Sequence, residues 1–199
     1  MSGSGVVSAT AIALCLAVAA APYGQGRAEE QRKPGPPDVL PGAVFIPTPH
    51  DVVAKMLDLA AVEKDDVLYD LGCGDGRIVV AAAEQYGCRA VGFDIDPVRV
   101  REARENVKKN RLGHLVKIER GDIYDVDLRG ASVVTLYLGT SLNKRLLPQL
   151  AKLEPGSRIV SHQFGIPGVK PDKVVRVRSA EDRHVHALLL WTAPLESPD

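Results

Sequence analysis

Residues 67–76 read VLYDLGCGDG, an apolar run with one acid that leads directly into a glycine-rich turn. The run Val67–Leu71 predicts a buried strand, and Arg77–Tyr86, rich in Ile, Val and Ala, predicts a helix. The glycines therefore fall in a strand-to-helix turn, where the backbone can approach a ligand closely.

Two details separate this turn from a dinucleotide-binding one. Gly72, Gly74 and Gly76 are spaced G-x-G-x-G, whereas the dinucleotide fingerprint is G-x-G-x-x-G. The carboxylate of Asp70 would repel a pyrophosphate but attract the ammonium and sulfonium groups of S-adenosylmethionine (SAM). The turn therefore predicts a SAM site and disfavours a nicotinamide-dependent oxidoreductase.

Two further acids follow at the ends of predicted strands. Arg89–Asp94 (RAVGFD) ends in an acid about twenty residues past the glycines, where a βαβ unit places the carboxylate for ribose hydroxyls. Asp96 and Pro97 then open a helix as N-cap and first-turn residue. Leu115–Arg120 predicts a third strand, and Asp122 follows it.

The runs DLGCGDG, GFDID and GDI, in this order, resemble the motif series of class I SAM-dependent methyltransferases, and the resemblance covers roughly residues 45–191. Each acid has a structural interpretation by itself, as a helix-dipole partner or a turn aspartate, but their joint occurrence in one βαβαβ frame favours binding. The resemblance implies that the methionine part is held by Asp70, Gly72 and Gly74, the ribose by Asp94, and the adenine by Asp122 and Ile123. Cys73 and Ile95, inside the same motifs, complete the predicted cofactor-binding set.

The rest of the chain predicts the remaining strands of an α/β, Rossmann-like, seven-strand class I methyltransferase sandwich. Residues 131–138 and 158–164 are apolar runs that predict the fourth and fifth strands. Residues 174–178 and 184–191 predict a terminal hairpin. Residues 165–172 (GIPGVKPD) form a Pro/Gly loop where many members of the family carry a helix.

Near the start of this region, the sequence predicts a helix with its own cap. Thr48 is the expected N-cap, and Asp51 takes the capping-box position. Val53, Met56, Leu57 and Ala60 then follow at the spacing of one buried helix face.

Methyl transfer depends mainly on positioning, so the acceptor site is expected at the carboxyl edge of the sheet. Tyr137 and His162 end the fourth and fifth predicted strands, and both are candidate catalytic residues facing a slot beside the sulfonium. Each has a structural alternative, as a core aromatic or a strand-end histidine. No Asn-Pro-Pro-Tyr motif is present, which disfavours the amino-methyltransferases of adenine and glutamine. The three cysteines show no metal-ligand spacing, so no metal is expected.

A finer resemblance points to the acceptor. The segments FIPTP (45–49), DLGCGDGRIVVAAA, VVTLYLGTSLNKRLLPQL and PGSRIVSHQF are similar to small lysine methyltransferases that modify the ATP synthase c-subunit and the adenine nucleotide translocase. This resemblance implies transfer to a protein lysine amine, with a small membrane protein as substrate. The alternatives are a small-molecule O- or N-methyltransferase and a non-catalytic SAM-binding domain.

The amino-acid composition limits the classes of partner expected for this protein. The chain has 199 residues, 45% of them hydrophobic, with 25 basic and 25 acidic residues and a pI near 7.0. This length suits one domain with a sizeable core. A nucleic-acid partner is not expected, because such binders show a strong basic excess.

The N-terminal region differs in kind from the rest. Val6–Ala21 is an uncharged apolar run, short for a membrane span but suited to a signal-peptide core, and its last five residues contain two A-x-A sites. Its nearest positive charges lie on its C-terminal side, which favours an uncleaved anchor with the domain on the cytoplasmic side of the membrane. Export after cleavage is the alternative. The predicted organisation is a signal-like or anchor segment (1–23), a flexible linker (24–42), the methyltransferase domain (43–193) and a tail (194–199).

Overall fold

A computed structural model of the chain describes residues 45–196. The expectations for segments 1–23 and 24–42 lie outside the described residues, as does the end of the tail. The strands are β1 (Val67–Leu71), β2 (Arg89–Asp94), β3 (Val116–Arg120), β4 (Val133–Leu136), β5 (Arg158–His162), β6 (Lys173–Arg178) and β7 (Val185–Thr192). The α-helices are α1 (His50–Leu59), α2 (Arg77–Tyr86), α3 (Pro97–Lys109) and α4 (Thr140–Leu150), and short 3₁₀ turns lie at Ile123–Asp125 and Leu128–Gly130.

The strands form one seven-stranded sheet in the order β3-β2-β1-β4-β5-β7-β6. Strands β1 to β5 are parallel, whereas β7 runs antiparallel to β5 and β6 antiparallel to β7. The predicted α/β sandwich with a terminal hairpin is confirmed. The order reverses between β1 and β4, and open α/β sheets bind ligands at such a switch point.

Apolar side chains cover both faces of the sheet, because successive strand residues point to opposite sides. In β4, Val133 packs in the cluster that includes residues of α1, α2 and α3. Val134 and Leu136 instead pack with Leu146 and Leu150 of α4. All four residues of β4 are buried, as expected for a central parallel strand covered by helices on both faces.

The start of α1 corrects one expectation. The N-cap is Pro49 rather than Thr48, and no side chain of the helix start caps it. Instead, the carboxylate of Glu181, from the turn between β6 and β7, accepts hydrogen bonds from the backbone N–H groups of His50 and Asp51 at 3.1 and 3.0 Å. The carboxylate of Asp51 in turn accepts from the hydroxyl of Ser179 and the N–H of Ala180. The helix is therefore capped by a distant segment, which local capping rules do not reveal.

Other boundaries follow the sequence closely. The predicted bounds of β1, α2 and β2 are confirmed, as is the N-cap of α3, where the side chain of Asp96 accepts from the N–H of Val98 at 2.7 Å. Strand β4 begins at Val133 and ends at Leu136, and β5 ends at His162, so both strands are shorter than predicted. No helix occurs within 165–172, as predicted.

Candidate functional site

A cavity opens at the carboxyl ends of β1, β2 and β4, beside the switch point of the sheet. Eight of the ten residues predicted for the site line it, namely Asp70, Gly72, Cys73, Asp94, Ile95, Asp122, Ile123 and Tyr137. Gly74 and His162 are not among the lining residues. The acids of three separate strand ends thus meet at one place, as the parallel topology requires.

The glycine turn is built from left-handed backbone. Gly72, Gly74 and Gly76 have φ angles of 79°, 56° and 78°, a region that L side chains enter at a cost. The N–H groups of Gly72 and Cys73 both donate to the carbonyl of Phe93, at 2.8 and 2.9 Å. This pairing ties the turn to the end of β2 and fixes the floor of the cavity.

Gly74 also has a structural role, in addition to the contact predicted for it. Its N–H donates to Oδ2 of Asp94 at 2.8 Å, and a Cβ at this position would lie 2.2 Å from the ring of Phe45. The glycine therefore leaves space for the segment that forms the cavity wall. Its assignment as a direct contact to the methionine part remains a prediction.

Asp70 is the most perturbed carboxylate of the site. It is 2% exposed, and the Thr135 hydroxyl donates to its Oδ1 at 2.7 Å. Its Oδ2 is buried and has no hydrogen-bond partner among residues 45–196. Burial raises the pKa of Asp70 to about 7. The hydrogen bond from Thr135 opposes this shift, and the negative charges of Asp94 and Asp75 add to it. A cationic ligand would supply the missing partner and favour the carboxylate form.

Asp94 ends β2 with both oxygens engaged but not saturated. Oδ2 accepts from Gly74 N–H, and Oδ1 accepts from the N–H of Asp96 at 2.9 Å. Burial raises its pKa, and these backbone hydrogen bonds oppose the shift. A carboxylate has about four lone-pair sites, so two remain for ribose hydroxyls.

The third strand end is held by a tight turn. Oδ1 of Asp122 accepts from the N–H of Tyr124 at 3.0 Å. The side-chain amide of Gln149, on α4, donates to the carbonyls of Ile123, Tyr124 and Val126. The Ile123 side chain is thereby presented to the cavity as an apolar surface, suited to a flat ring.

The wall opposite the sheet is a part of the site that sequence reasoning missed. Residues 45–48, which precede α1, line the cavity. Arg77 holds this segment, since it donates to the carbonyl of Thr48 at 2.9 Å while its guanidinium pairs with Asp75 at 2.6 Å. Arg99 lies 4.7 Å from the centre of the Phe45 ring. In the sequence, the FIPTP run that carries the family resemblance marks this wall.

The two catalytic candidates occupy different positions. Tyr137 lines the cavity, and burial, helped by the charge of Asp182, raises the pKa of its hydroxyl. His162 is fully buried behind it, with ring centres 3.9 Å apart. The expectation that His162 faces the slot is wrong, because both ring nitrogens point to protein partners, Thr48 and His186. Any role of His162 in the reaction is therefore indirect.

Cys73 is a packing residue in this geometry. Its side chain fills the space above Gly92, where a Cβ would lie 2.9 Å from its sulfur. Burial raises the pKa of its thiol well above the ordinary value, so the reactive thiolate is disfavoured. It lines the cavity as a small apolar surface.

The fold and the site define a class I SAM-dependent methyltransferase. The family described as the ANTKMT methyltransferase domain matches residues 70–173. A protein-lysine N-methyltransferase of Saccharolobus islandicus is 44% identical over 147 residues, 73% of this chain and 91% of that protein. The chain belongs to the ANTKMT methyltransferase family.

Two further relatives agree with this class. The adenine nucleotide translocase lysine N-methyltransferase of Mus musculus is 38% identical over 110 residues, 54% of this chain but only 48% of that protein. A crystal structure titled RNA methyltransferase from Salinibacter ruber, in complex with S-adenosyl-L-homocysteine, is 44% identical, with a TM-score of 0.70 over 77% of this chain and 97% of that one. SAM is the cofactor, and the unpartnered carboxylate oxygen of Asp70 at the glycine turn fits a cationic methionine group.

Proposed function

We propose that this methyltransferase modifies lysine side chains of a protein substrate. The observation that carries the proposal is the mixed lining of the cavity, which combines carboxylates with apolar and hydroxyl-bearing side chains. Asp70, Asp94 and Asp122 line the cavity, and so do Tyr137, Leu138, Leu142 and Thr48. An aliphatic lysine stem suits the leucine side chains, and its amine would meet the hydroxyls of Tyr137 and Thr48.

SAM supplies a methyl group on a positively charged sulfur, and the chain's task is to hold and orient the partners. Asp70 offers the buried carboxylate for the methionine end, and Asp94 offers two lone-pair sites for the ribose. Ile123 and the Asp122 turn bound the adenine end. With the cofactor held in this way, Tyr137 lies beside the lysine acceptor. Burial and the positive charge of the sulfonium lower the pKa of the lysine ammonium at this position.

The names of the relatives support a lysine acceptor, with one divergent indication. The archaeal relative that spans most of the chain is named for protein lysine, and so is the mouse relative. The Salinibacter structure is titled for RNA. The balance of 25 basic and 25 acidic residues favours a protein acceptor over a polyanion. A small-molecule O- or N-methyltransferase and a non-catalytic SAM-binding domain are the other readings that the experiment separates.

We also propose that the N-terminal apolar run keeps the enzyme at a membrane, with the domain on the cytoplasmic side and small membrane proteins as substrates. The first positive charges, Arg27, Arg32 and Lys33, follow the run, and positive charges favour the cytoplasmic side of a membrane segment. Residues 45–196 contain no helix long and apolar enough to cross a bilayer. A mature N-terminus near Pro22, found by mass spectrometry of the cell-made protein, would replace this proposal by export after cleavage.

The acceptor is tested with methyl-labelled SAM on cell lysate and on an array of lysine-containing peptides. Label is expected in protein, removed when lysine in the responding peptide is replaced by arginine. The Asp94→Ala variant at equal concentration is the negative control. Label in nuclease-sensitive material would instead identify RNA, label in the small-molecule fraction would identify a metabolite, and none at all would indicate a non-catalytic domain.

A further inference from the structure

A continuous hydrogen-bonded chain of side chains leads from the cavity wall to the protein surface. Thr48 Oγ1 lies 3.0 Å from His162 Nδ1, and His162 Nε2 lies 2.8 Å from His186 Nδ1. His186 Nε2 then lies 3.1 Å from each carboxylate oxygen of Asp182. The first three residues are 3%, 0% and 6% exposed, and the Asp182 side chain is 36% exposed.

The hydrogens along this chain can be assigned from its outer end. The backbone N–H of His184 and the ring of His186 hold the pKa of Asp182 at about 2, so its carboxylate only accepts. His186 Nε2 must therefore carry hydrogen. A proton relay through the two rings requires Nδ1 of His186 to accept, and therefore requires hydrogen on Nε2 of His162.

The innermost hydrogen of the series lies between His162 and Thr48, at the cavity wall. Burial, then the neighbouring His186, lower the pKa of His162 to about 4, so this ring is neutral and its Nδ1 is bare. The bare nitrogen accepts the hydroxyl hydrogen of Thr48. Thr48 lines the cavity, and its oxygen has only lone pairs left to offer a ligand.

We propose that Thr48 is the catalytic residue that takes a proton from the acceptor ammonium, while His162, His186 and Asp182 are positioning residues that store this proton during methyl transfer. The proposal rests on the amine acceptor proposed above. It gives the fully buried His162 a role that needs no contact with substrate.

The proton movements balance along the chain. One N–H bond of the ammonium breaks and its proton bonds to Thr48 Oγ1, as the hydroxyl hydrogen of Thr48 moves to His162 Nδ1. The Nε2 hydrogen of His162 moves to Nδ1 of His186, which becomes an imidazolium paired with the Asp182 carboxylate. The amine keeps its freed electron pair for the methyl group. After the products leave, the proton returns along the same path to water in the cavity.

Several other charged or titratable groups face this chain. The Tyr137 ring packs against His162 in a tilted arrangement, and burial and the charge of Asp182 raise the pKa of its hydroxyl. The ring nitrogen Nδ1 of His184 lies 3.6 Å from the Asp182 carboxylate. The hydrogen bond from Ala180 lowers the pKa of Asp51, and the negative charge of Asp182 opposes this shift. Glu181 is occupied by the start of α1. The charge that His186 gains is therefore balanced chiefly by Asp182, which contacts it directly.

The test compares Thr48→Val, Thr48→Ser and His186→Asn in the full chain, with the best peptide of the lysine array. Asparagine keeps an oxygen to accept from His162 but cannot take up a proton. At pH 7.5 we expect Thr48→Val and His186→Asn to lower kcat about 100-fold, within the range for proton-transfer catalysis, while Thr48→Ser stays near wild type. At pH 10, close to the lysine reference pKa of about 10.4, solution chemistry supplies the free amine and the deficit should shrink to a few-fold. The control is His114→Asn, because His114 is exposed and does not belong to the hydrogen-bonded series from Thr48 to Asp182.

A second readout needs no acceptor. Two-bond ¹⁵N–¹H correlation spectra should show both His162 and His186 with hydrogen on Nε2. The proposal would be overturned by an equal decrease in kcat of the variants at pH 7.5 and pH 10, or by wild-type activity of Thr48→Val. Hydrogen on Nδ1 of either ring would also overturn it. If the wild type methylates no lysine peptide, the lysine acceptor is wrong. The tautomers of His162 and His186 then test the proposed hydrogen-bond directions without any activity measurement.

Discussion

Replacing Asp70 by asparagine should stabilise the ligand-free protein at alkaline pH and weaken its binding of SAM. The carboxyl is fully buried, with one oxygen unpartnered among the described residues, and its pKa is raised from 3.8 to about 7. A carboxyl whose folded pKa is raised binds more protons in the native state between these two values. Its contribution to stability is therefore complete below pH 3.8 and is lost as the pH rises to 7.

The magnitude follows from the separation of the two pKa values. About three pH units correspond to about 4 kcal/mol of lost stability above pH 7, and about 3 kcal/mol of this falls between pH 4.5 and 8.5. Asparagine carries no charge to bury, and its oxygen still accepts from Thr135. The difference in unfolding free energy between variant and wild type should therefore grow by about 3 kcal/mol in the variant's favour over this range.

Urea unfolding at a series of pH values, without ligand, measures this difference. Asp65→Asn removes an exposed carboxylate from the same region and serves as the matched control. Calorimetry on the same samples should show SAM affinity at least about ten-fold lower for Asp70→Asn, since a hydrogen bond to a charged group contributes about 1.5–3 kcal/mol. Parallel stability profiles for variant and wild type would refute the buried, raised-pKa carboxyl, and unchanged SAM affinity would refute its assignment to the cofactor.

Four further changes probe other parts of the structure. Asp94→Ala should weaken SAM binding about ten-fold or more in calorimetry with the fold intact, and unchanged affinity would remove this residue from the site. Gly74→Ala forces a side chain into left-handed backbone and against the Phe45 ring, so thermal unfolding should show a stability at least about 1–2 kcal/mol lower, and a neutral result would contradict both the backbone strain and the ring contact. Glu181→Ala removes the distant cap of α1 and should cost about 1 kcal/mol in urea unfolding, and the loss should disappear if the cap is incidental. Tyr137→Phe should lower kcat with SAM affinity nearly unchanged, and an unaltered kcat would make this tyrosine a packing residue.

The sequence by itself was sufficient for the fold and for bringing most of the predicted cofactor residues to one cavity. Strand β1, helix α2 and strand β2 are encoded by short-range patterns, namely an apolar run, left-handed glycines and a helical apolar face. Parallel strands bring their carboxyl ends to one edge, so Asp70, Asp94 and Asp122 had to meet once these elements were assigned. Local rules and topology together therefore predicted this half of the site.

Only the tertiary structure decided the acceptor side and the start of α1. Thr48, with the local features of a helix cap, binds His162 instead, because Glu181 comes from about 130 residues away to cap the helix. His162, predicted at the slot, is buried because β7 places His186 beside it. These partners lie far apart in the chain, and no periodicity or spacing links them. They are brought together only when the antiparallel hairpin closes against β5 and α1.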